Sequence, residues 1–280
     1  HLRPRRQRQM CIRDRDEPRS LGVQDYLFLT IKSPALLPSL KAMKPLIGKD
    51  TTIITCMNGI PHWYFHKLDN KYANYKIKCL DPNLLIDTIL PPDNIVGSVV
   101  YPACEIVKPG TIKHIAGNRF SLGEPEGSES DRLKFISDIL KRAGFRAPIQ
   151  KNIRDEIWLK LIGNLSFNPI SALTGATLEQ ICNDQGTEAI VRAMMTEAKI
   201  IAEELGAKIN MSIEKRIEGA RKVGAHKTSM LQDIEAGKPI EIDSIIIAVK
   251  ELGELTCSPT PYIDTILNLT LQKAKLIGCL

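Results

Sequence analysis

The chain of 280 residues is 43% hydrophobic and 25% charged, the balance of a globular protein with room for one large domain or two ordinary ones. Its net charge of +6 is concentrated in residues 1–15, with six arginines and one aspartate; elsewhere 32 basic residues face 31 acidic ones, which excludes a basic footprint for nucleic acid. No run of 18 apolar residues offers a membrane span, and seven scattered cysteines without a C-x-x-C or a His/Cys cluster argue against a metal site or disulfide framework and for a reducing cytoplasm.

The opening stretch HLRPRRQRQMCIRDR has no apolar period and no signal-peptide core. Its QMCIRDR portion looks like a translated sequencing adapter. Residues 1–20 are therefore expected to be a non-native or disordered tail, with a basic arm as the rival reading. VQDYLFLTIKS (23–33) then reads as a buried strand ending on Lys32. PALLPSLKAMKPLIGKD predicts a short helix stopped by Gly48, and TTIITCMNG (51–59) a second strand ending on Asn58-Gly59. Strand, helix, strand at this spacing is an α/β pattern. IVGSVVYPACEIV and TIKHIAGNRFSLG are extended blocks joined through KPG, a hairpin or long loop pair.

From residue 129 the pattern becomes helical. SDRLKFISDILKRAG predicts an amphipathic helix capped by Ser130 and closed at Gly144. DEIWLKLIGNLSFNPISAL (155–173) is the next, followed by helices over 187–206, 212–223, 229–236 and 241–255 and one after Pro261. The bounds read from this change are 21–128 for the α/β part and 129–280 for the helical part.

Three groups of residues carry possible chemistry. Lys160, Asn164 and Asn168 are spaced four apart on one face of an otherwise apolar helix, just before Pro169. A buried lysine there has a lowered pKa and suits proton donation, and two asparagines can fix a carboxylate or hydroxyl. The same stripe could equally be solvated or bonded to neighbouring helices. In KTSMLQDIEAGKPIEID (227–243), Ser229 and Gln232 fit a capping box. Glu241 and Asp243 fall in the first turn of a helix, where carboxylates complement its dipole or could face a ligand. Lys32 and Asn58 end consecutive strands, where open α/β sheets bind ligands, though each is also ordinary turn chemistry. His62 and His66, four apart in PHWYFHK, could share a helix face but lack a third metal ligand, so packing or surface roles are expected.

Taken in order, DYLFLTIK, CMNGIP, IWLKLIGNLSFNP, SMLQDIEAGKPIEID and SPTP resemble the ketopantoate reductase (2-dehydropantoate 2-reductase) family from about residue 21 to the C-terminus. The resemblance implies an NADP-binding Rossmann domain followed by an all-helical domain of the 6-phosphogluconate dehydrogenase-like type. It implies NADPH as cofactor, a small keto-acid substrate and a possible homodimer. By the same resemblance Lys160 is the general acid, Glu241 the orienting acid, Asn164, Asn168 and Ser229 bind substrate, and Lys32 and Asn58 face the cofactor. Three departures stand out. The glycine-rich G-x-G-x-x-G turn is not in the sequence, so the chain reads as N-terminally truncated and is expected to bind NADPH poorly. The same loss would bare the flank of the strand near 23–31. Leu178 stands where some members have a substrate-binding asparagine, and Ile246-Ile247 where a small residue is usual. The enzymatic alternative is a dehydrogenase of another 2-keto or 3-hydroxy acid; the non-enzymatic one is a binding or dimerising helical module.

Overall fold

The computed structural model describes residues 17–108 and 111–280, so the expectation for the arginine-rich opening lies outside the described residues up to residue 16. Residues 17–20, set aside with that tail, are instead ordered. A 3-10 turn at Pro18–Leu21 starts at a proline, which presets its φ, and Glu17 accepts from the Arg19 N–H at 3.3 Å.

Strands β1 (Tyr26–Leu29), β2 (Thr52–Thr55) and β3 (Ile95–Val100) run parallel, and β6 (Phe120–Gly123) returns antiparallel against β3. Between them, β4 (Ala103–Lys108) and β5 (Thr111–Ala116) form the expected antiparallel hairpin. Helix α1 (Leu36–Met43) links β1 to β2, and a single turn, α2 (Ile86–Ile89), precedes β3. β1 is the outer strand among the described residues, with Tyr26 stacked on Phe135 at a centroid distance of 5.3 Å.

Successive side chains of a strand point to opposite faces, and here both faces are apolar. Ile54 and Val96 pack with Leu122 against Leu133, Ile136 and Leu140 of α3 (Asp131–Arg142), which Ser130 caps as expected. Their neighbours Ile53 and Ile95 point the other way, into a core that also contains Trp63, Trp158, Met194 and Ile246. This second core is continuous with the helical half of the chain.

The axis of that half is α4 (Ile153–Thr174), capped by Asn152 and ended by the left-handed Gly175. It packs against α6 (Gln185–Glu204), α8 (Ser229–Glu235) and α10 (Pro261–Ile277), while α5 (Leu178–Asn183), α7 (Ile213–Val223) and α9 (Ala248–Thr256) fill in around them. α5 was not anticipated, although Thr177 and Gln180 form the reciprocal capping box that marks its start. Conversely, no capping box forms at Ser229: the N-cap is Thr228, whose hydroxyl accepts from the Leu231 N–H, and Ser229 is the first helical residue and is exposed. Asp243–Ile247 is a π-helical turn leading into α9, so Glu241 precedes the helix rather than entering its first turn.

Arg154 and Trp158 are among the residues that tie the strand half to α4. Arg154 donates to the carbonyls of Tyr64 (2.7 Å), His66 (2.7 Å) and Pro125 (2.5 Å), pinning the 61–67 turns, which are not a helix. Fully buried Trp158 donates from Nε1 to the Tyr64 hydroxyl at 2.8 Å. Trp158→Ala should cost about 3–5 kcal/mol of stability, as expected for truncating a buried aromatic, read as a lowered denaturant midpoint.

Candidate active site

The loop after β2 docks on the π turn: the Ile60 N–H donates to the Ser244 carbonyl at 2.8 Å. Gly59 makes this approach possible. Its φ is +85°, and a Cβ there would lie 2.3 Å from the Ser244 oxygen. The docking carries Asn58 to the residues on either side of the cleft. Asn58 Oδ1 accepts from Lys160 Nζ at 2.7 Å, and Asn58 Nδ2 donates to Glu241 Oε2 at 3.0 Å. The other Glu241 oxygen accepts from the Ser33 N–H at 3.3 Å. Lys160, Asn58 and Glu241 thus form one chain of hydrogen bonds, in which the carboxylate selects the orientation of the amide and the amide holds the ammonium.

Lys160 also donates to the Val100 carbonyl at 2.5 Å, and its Nζ lies 5.8 Å from the Tyr101 ring centroid. An ammonium has three protons. Two are committed to fixed acceptors, leaving one to offer. Burial pushes the Lys160 pKa down to about 8; the nearby Glu241 charge opposes the shift and Arg216 reinforces it. The group is charged at neutral pH and able to give up its proton only slightly above it, which suits a general acid.

A cavity opens beside this chain. Ser33, Pro34, Met57, Asn58 and Gly59 form its rim at the ends of β1 and β2, with Lys160 and Asn164 on the α4 side. Deeper in, the wall is apolar, with Leu36, Ile60, Trp63, Ile86, Val99 and Leu161. Three polar side chains of that wall lack partners: the Ser98 and Ser244 hydroxyls, neither anticipated, and both ring nitrogens of His62 are buried without hydrogen-bond partners. Burial pushes the His62 pKa down to about 4, so it is a neutral wall residue.

The remaining candidates are not all in this cluster. Asn168 lies two turns beyond Lys160, buried, with Nδ2 unpartnered. Lys32 pairs with Asp233 of α8 across the cleft. Ser229 is one turn before Asp233 on the same face of α8, exposed and outside the cavity lining. Tyr101 was overlooked: burial and its hydrogen bond to Glu156 (2.6 Å) push its hydroxyl pKa up. The only signal for it is its place immediately after β3. Among the described residues no group of three or more His, Cys, Asp or Glu side chains could hold a metal ion, and no helix is long and apolar enough to cross a membrane.

Comparison with known proteins decides the family. Residues 3–127 match the profile described as ketopantoate reductase PanE/ApbA and residues 152–274 its C-terminal counterpart; the first match begins inside the arginine-rich opening. A 2-dehydropantoate 2-reductase of Mesorhizobium japonicum is 47% identical over 268 residues, 96% of this chain and 82% of that protein. The chain belongs to the ketopantoate reductase family. A solved structure from Ralstonia solanacearum MolK2, provisionally assigned as a ketopantoate reductase, is 39% identical with a TM-score of 0.90, covering 94% of this chain and 80% of that one. The 2-dehydropantoate 2-reductase of Methylococcus capsulatus is 26% identical with a TM-score of 0.77, covering 92% and 76%. The two-part architecture expected from the sequence, Rossmann-type and then helical, is that of the family.

A reaction that draws the Lys160 proton should slow as the pH rises through about 8, where the ammonium is lost, and be unimpaired by Lys160 below that value. Glu241→Gln removes the charge that holds this pKa up, so the alkaline limb of the pH–rate profile should move to lower pH. A limb that stays in place would contradict the Lys160–Asn58–Glu241 coupling.

Proposed function

We propose that this chain reduces 2-dehydropantoate (ketopantoate) to (R)-pantoate with NADPH, on the route to pantothenate and coenzyme A. The observation that carries the reading is Lys160, a buried ammonium that lines the cavity and has two of its three protons committed to fixed acceptors. The residues present fit the nicotinamide end of the cofactor: the cavity opens at the C-terminal ends of parallel strands and has unpartnered hydroxyls in its wall. Lys32 and Asn58 would hold that end. NADPH, when bound, supplies a hydride to the ketone carbon.

The chain's own residues handle the other half of the reaction. Lys160 gives its free proton to the ketone oxygen as negative charge develops there, and the resulting amine is retained by Asn58 and Val100. Glu241 positions Asn58 and thereby Lys160, and keeps the ammonium charged before reaction. Asn164, which lines the cavity, and Asn168, further along α4 with an unpartnered amide nitrogen, are donors to the substrate's oxygens. Ser229, exposed on α8 one turn before Asp233, is a further substrate contact of the same proposal. The apolar depth of the cavity favours, as a second reading, a 2-keto acid with a larger apolar substituent than ketopantoate.

The setting is cytoplasmic, in keeping with six unpaired cysteines among the described residues. The homodimer is part of the same proposal. Tyr262, Leu269 and Leu276 are exposed at seven-residue intervals along α10, an apolar seam suited to a second copy.

Lys160→Ala should lower kcat for ketopantoate by about a hundred- to ten-thousandfold, the usual worth of a general acid. NADPH affinity, read by fluorescence titration, should hold. A panel of 2-keto acids ranked by kcat/KM separates the two substrate readings.

A further inference from the structure

The peptide group between Val100 and Tyr101 is held at both ends. Its carbonyl accepts from Lys160 Nζ, and its N–H donates to the Arg119 carbonyl at 2.9 Å. Gly117 packs on the next carbonyl: its φ is +73°, and a Cβ there would come within 2.7 Å of the Tyr101 oxygen. The backbone at Tyr101 is thereby closed at the base of the β4–β5 hairpin, one residue past the oxygen that holds the lysine.

The side chain of Tyr101 returns to the same helix. Glu156 and Lys160 are four residues apart, so they share a face of α4 one turn apart. The Tyr101 hydroxyl donates to Glu156 at 2.6 Å, while its ring centroid lies 5.8 Å from Lys160 Nζ. Buried Glu156 accepts on the same oxygen from Arg119 at 2.7 Å and Ser121 at 3.2 Å, so the anchor of the phenol is itself fixed. Arg119, with its guanidinium carbon 5.2 Å from the ring centroid, has its charge answered by that carboxylate. Burial and the bond to Glu156 push the phenol's pKa up, so the ring stays neutral.

A ring face attracts a cation through its quadrupole without taking a proton into a fixed bond, whereas a third oxygen would occupy the proton that the reaction needs. Of the ionisable groups that act on Lys160, Glu241 favours its charge and Arg216 opposes it. Cys56 is a thiol that burial keeps protonated, its pKa pushed up to about 11. We propose that Tyr101 is a positioning residue for Lys160: its ring steadies the ammonium beside the Val100 carbonyl and leaves the third proton free, and Glu156 holds the ring there. The proposal deepens the reductase reading and rests on it only for the identity of the reaction.

The test follows the charge of Lys160 directly, by 13C NMR of lysine labelled at Cε, with Lys160→Ala assigning the resonance. The unaltered chain is compared with Tyr101→Phe, Tyr101→Leu and pentafluorophenylalanine at the same position, which keeps the shape of phenylalanine and reverses the quadrupole of the ring. Tyr101→Leu and the fluorinated ring should each lower the Lys160 pKa by about one unit, and Tyr101→Phe by less. The alkaline limb of kcat for ketopantoate should move down with it, lowering kcat near pH 8 by about fivefold while KM and NADPH affinity hold. Equal Lys160 titration in the phenylalanine and pentafluorophenylalanine forms overturns the proposal, and this pair decides it even if Tyr101→Leu does not fold. An unchanged Lys160 pKa in folded Tyr101→Leu overturns it too. A titration that shifts as expected in a chain that reduces no ketopantoate upholds the role of Tyr101 and overturns the reductase reading instead.

Discussion

A lysine ammonium can be kept charged inside a protein only if fixed acceptors replace the water it has lost. Everything at this site follows from meeting that condition at Lys160 with neutral oxygens rather than with a carboxylate. A direct carboxylate partner would hold the proton too tightly. The Asn58 and Val100 oxygens hold the nitrogen in place and leave the pKa near 8, while Glu241 acts from one residue further away.

This arrangement sets requirements on the fold. The Val100 carbonyl must end a strand that α4 crosses, and Asn58 must be carried from the end of β2 to the foot of the π turn. Gly59 permits the second by letting two backbones touch, and Arg154 supports it by fastening the following turns to α4. The apolar strands and the long buried helix thus position polar atoms that belong to segments far apart in sequence.

What could be read in the sequence was whatever depends on local periodicity. The helical spacing of Lys160, Asn164 and Asn168 is of this kind, as are the Ser130 cap, the hairpin and the first two strands, although these stop at Leu29 and Thr55, three residues before Lys32 and Asn58. The bridge from Asn58 to Glu241 spans 183 positions, and no local pattern announces it. The packing of Arg216 on α4 was hidden for a different reason. IEKRIEGARKV reads as an ordinary charged amphipathic helix, and nothing in it distinguishes the arginine that lies over Gly163 from those in solvent. The cap of α8 was misplaced by one residue because Thr228 and Ser229 are chemically alike, and only backbone dihedrals separate an N-cap from N1. Of the packing or surface roles open to His62, the structure has packing, on a turn rather than a helix, and its place in the cavity wall comes from the tertiary fold.

The larger core has a mechanical consequence for the two halves of the chain. Ile53, Ile95 and Trp63 from the strand half share it with Trp158, Met194 and Ile246 from the helical half, so neither can lose its structure without exposing the apolar side of the other. Such an arrangement melts as one cooperative unit rather than in two steps. The helical half is accordingly no autonomous module, and a proteolytic cut near residue 128 would leave a fragment with half of a core and nothing to close it.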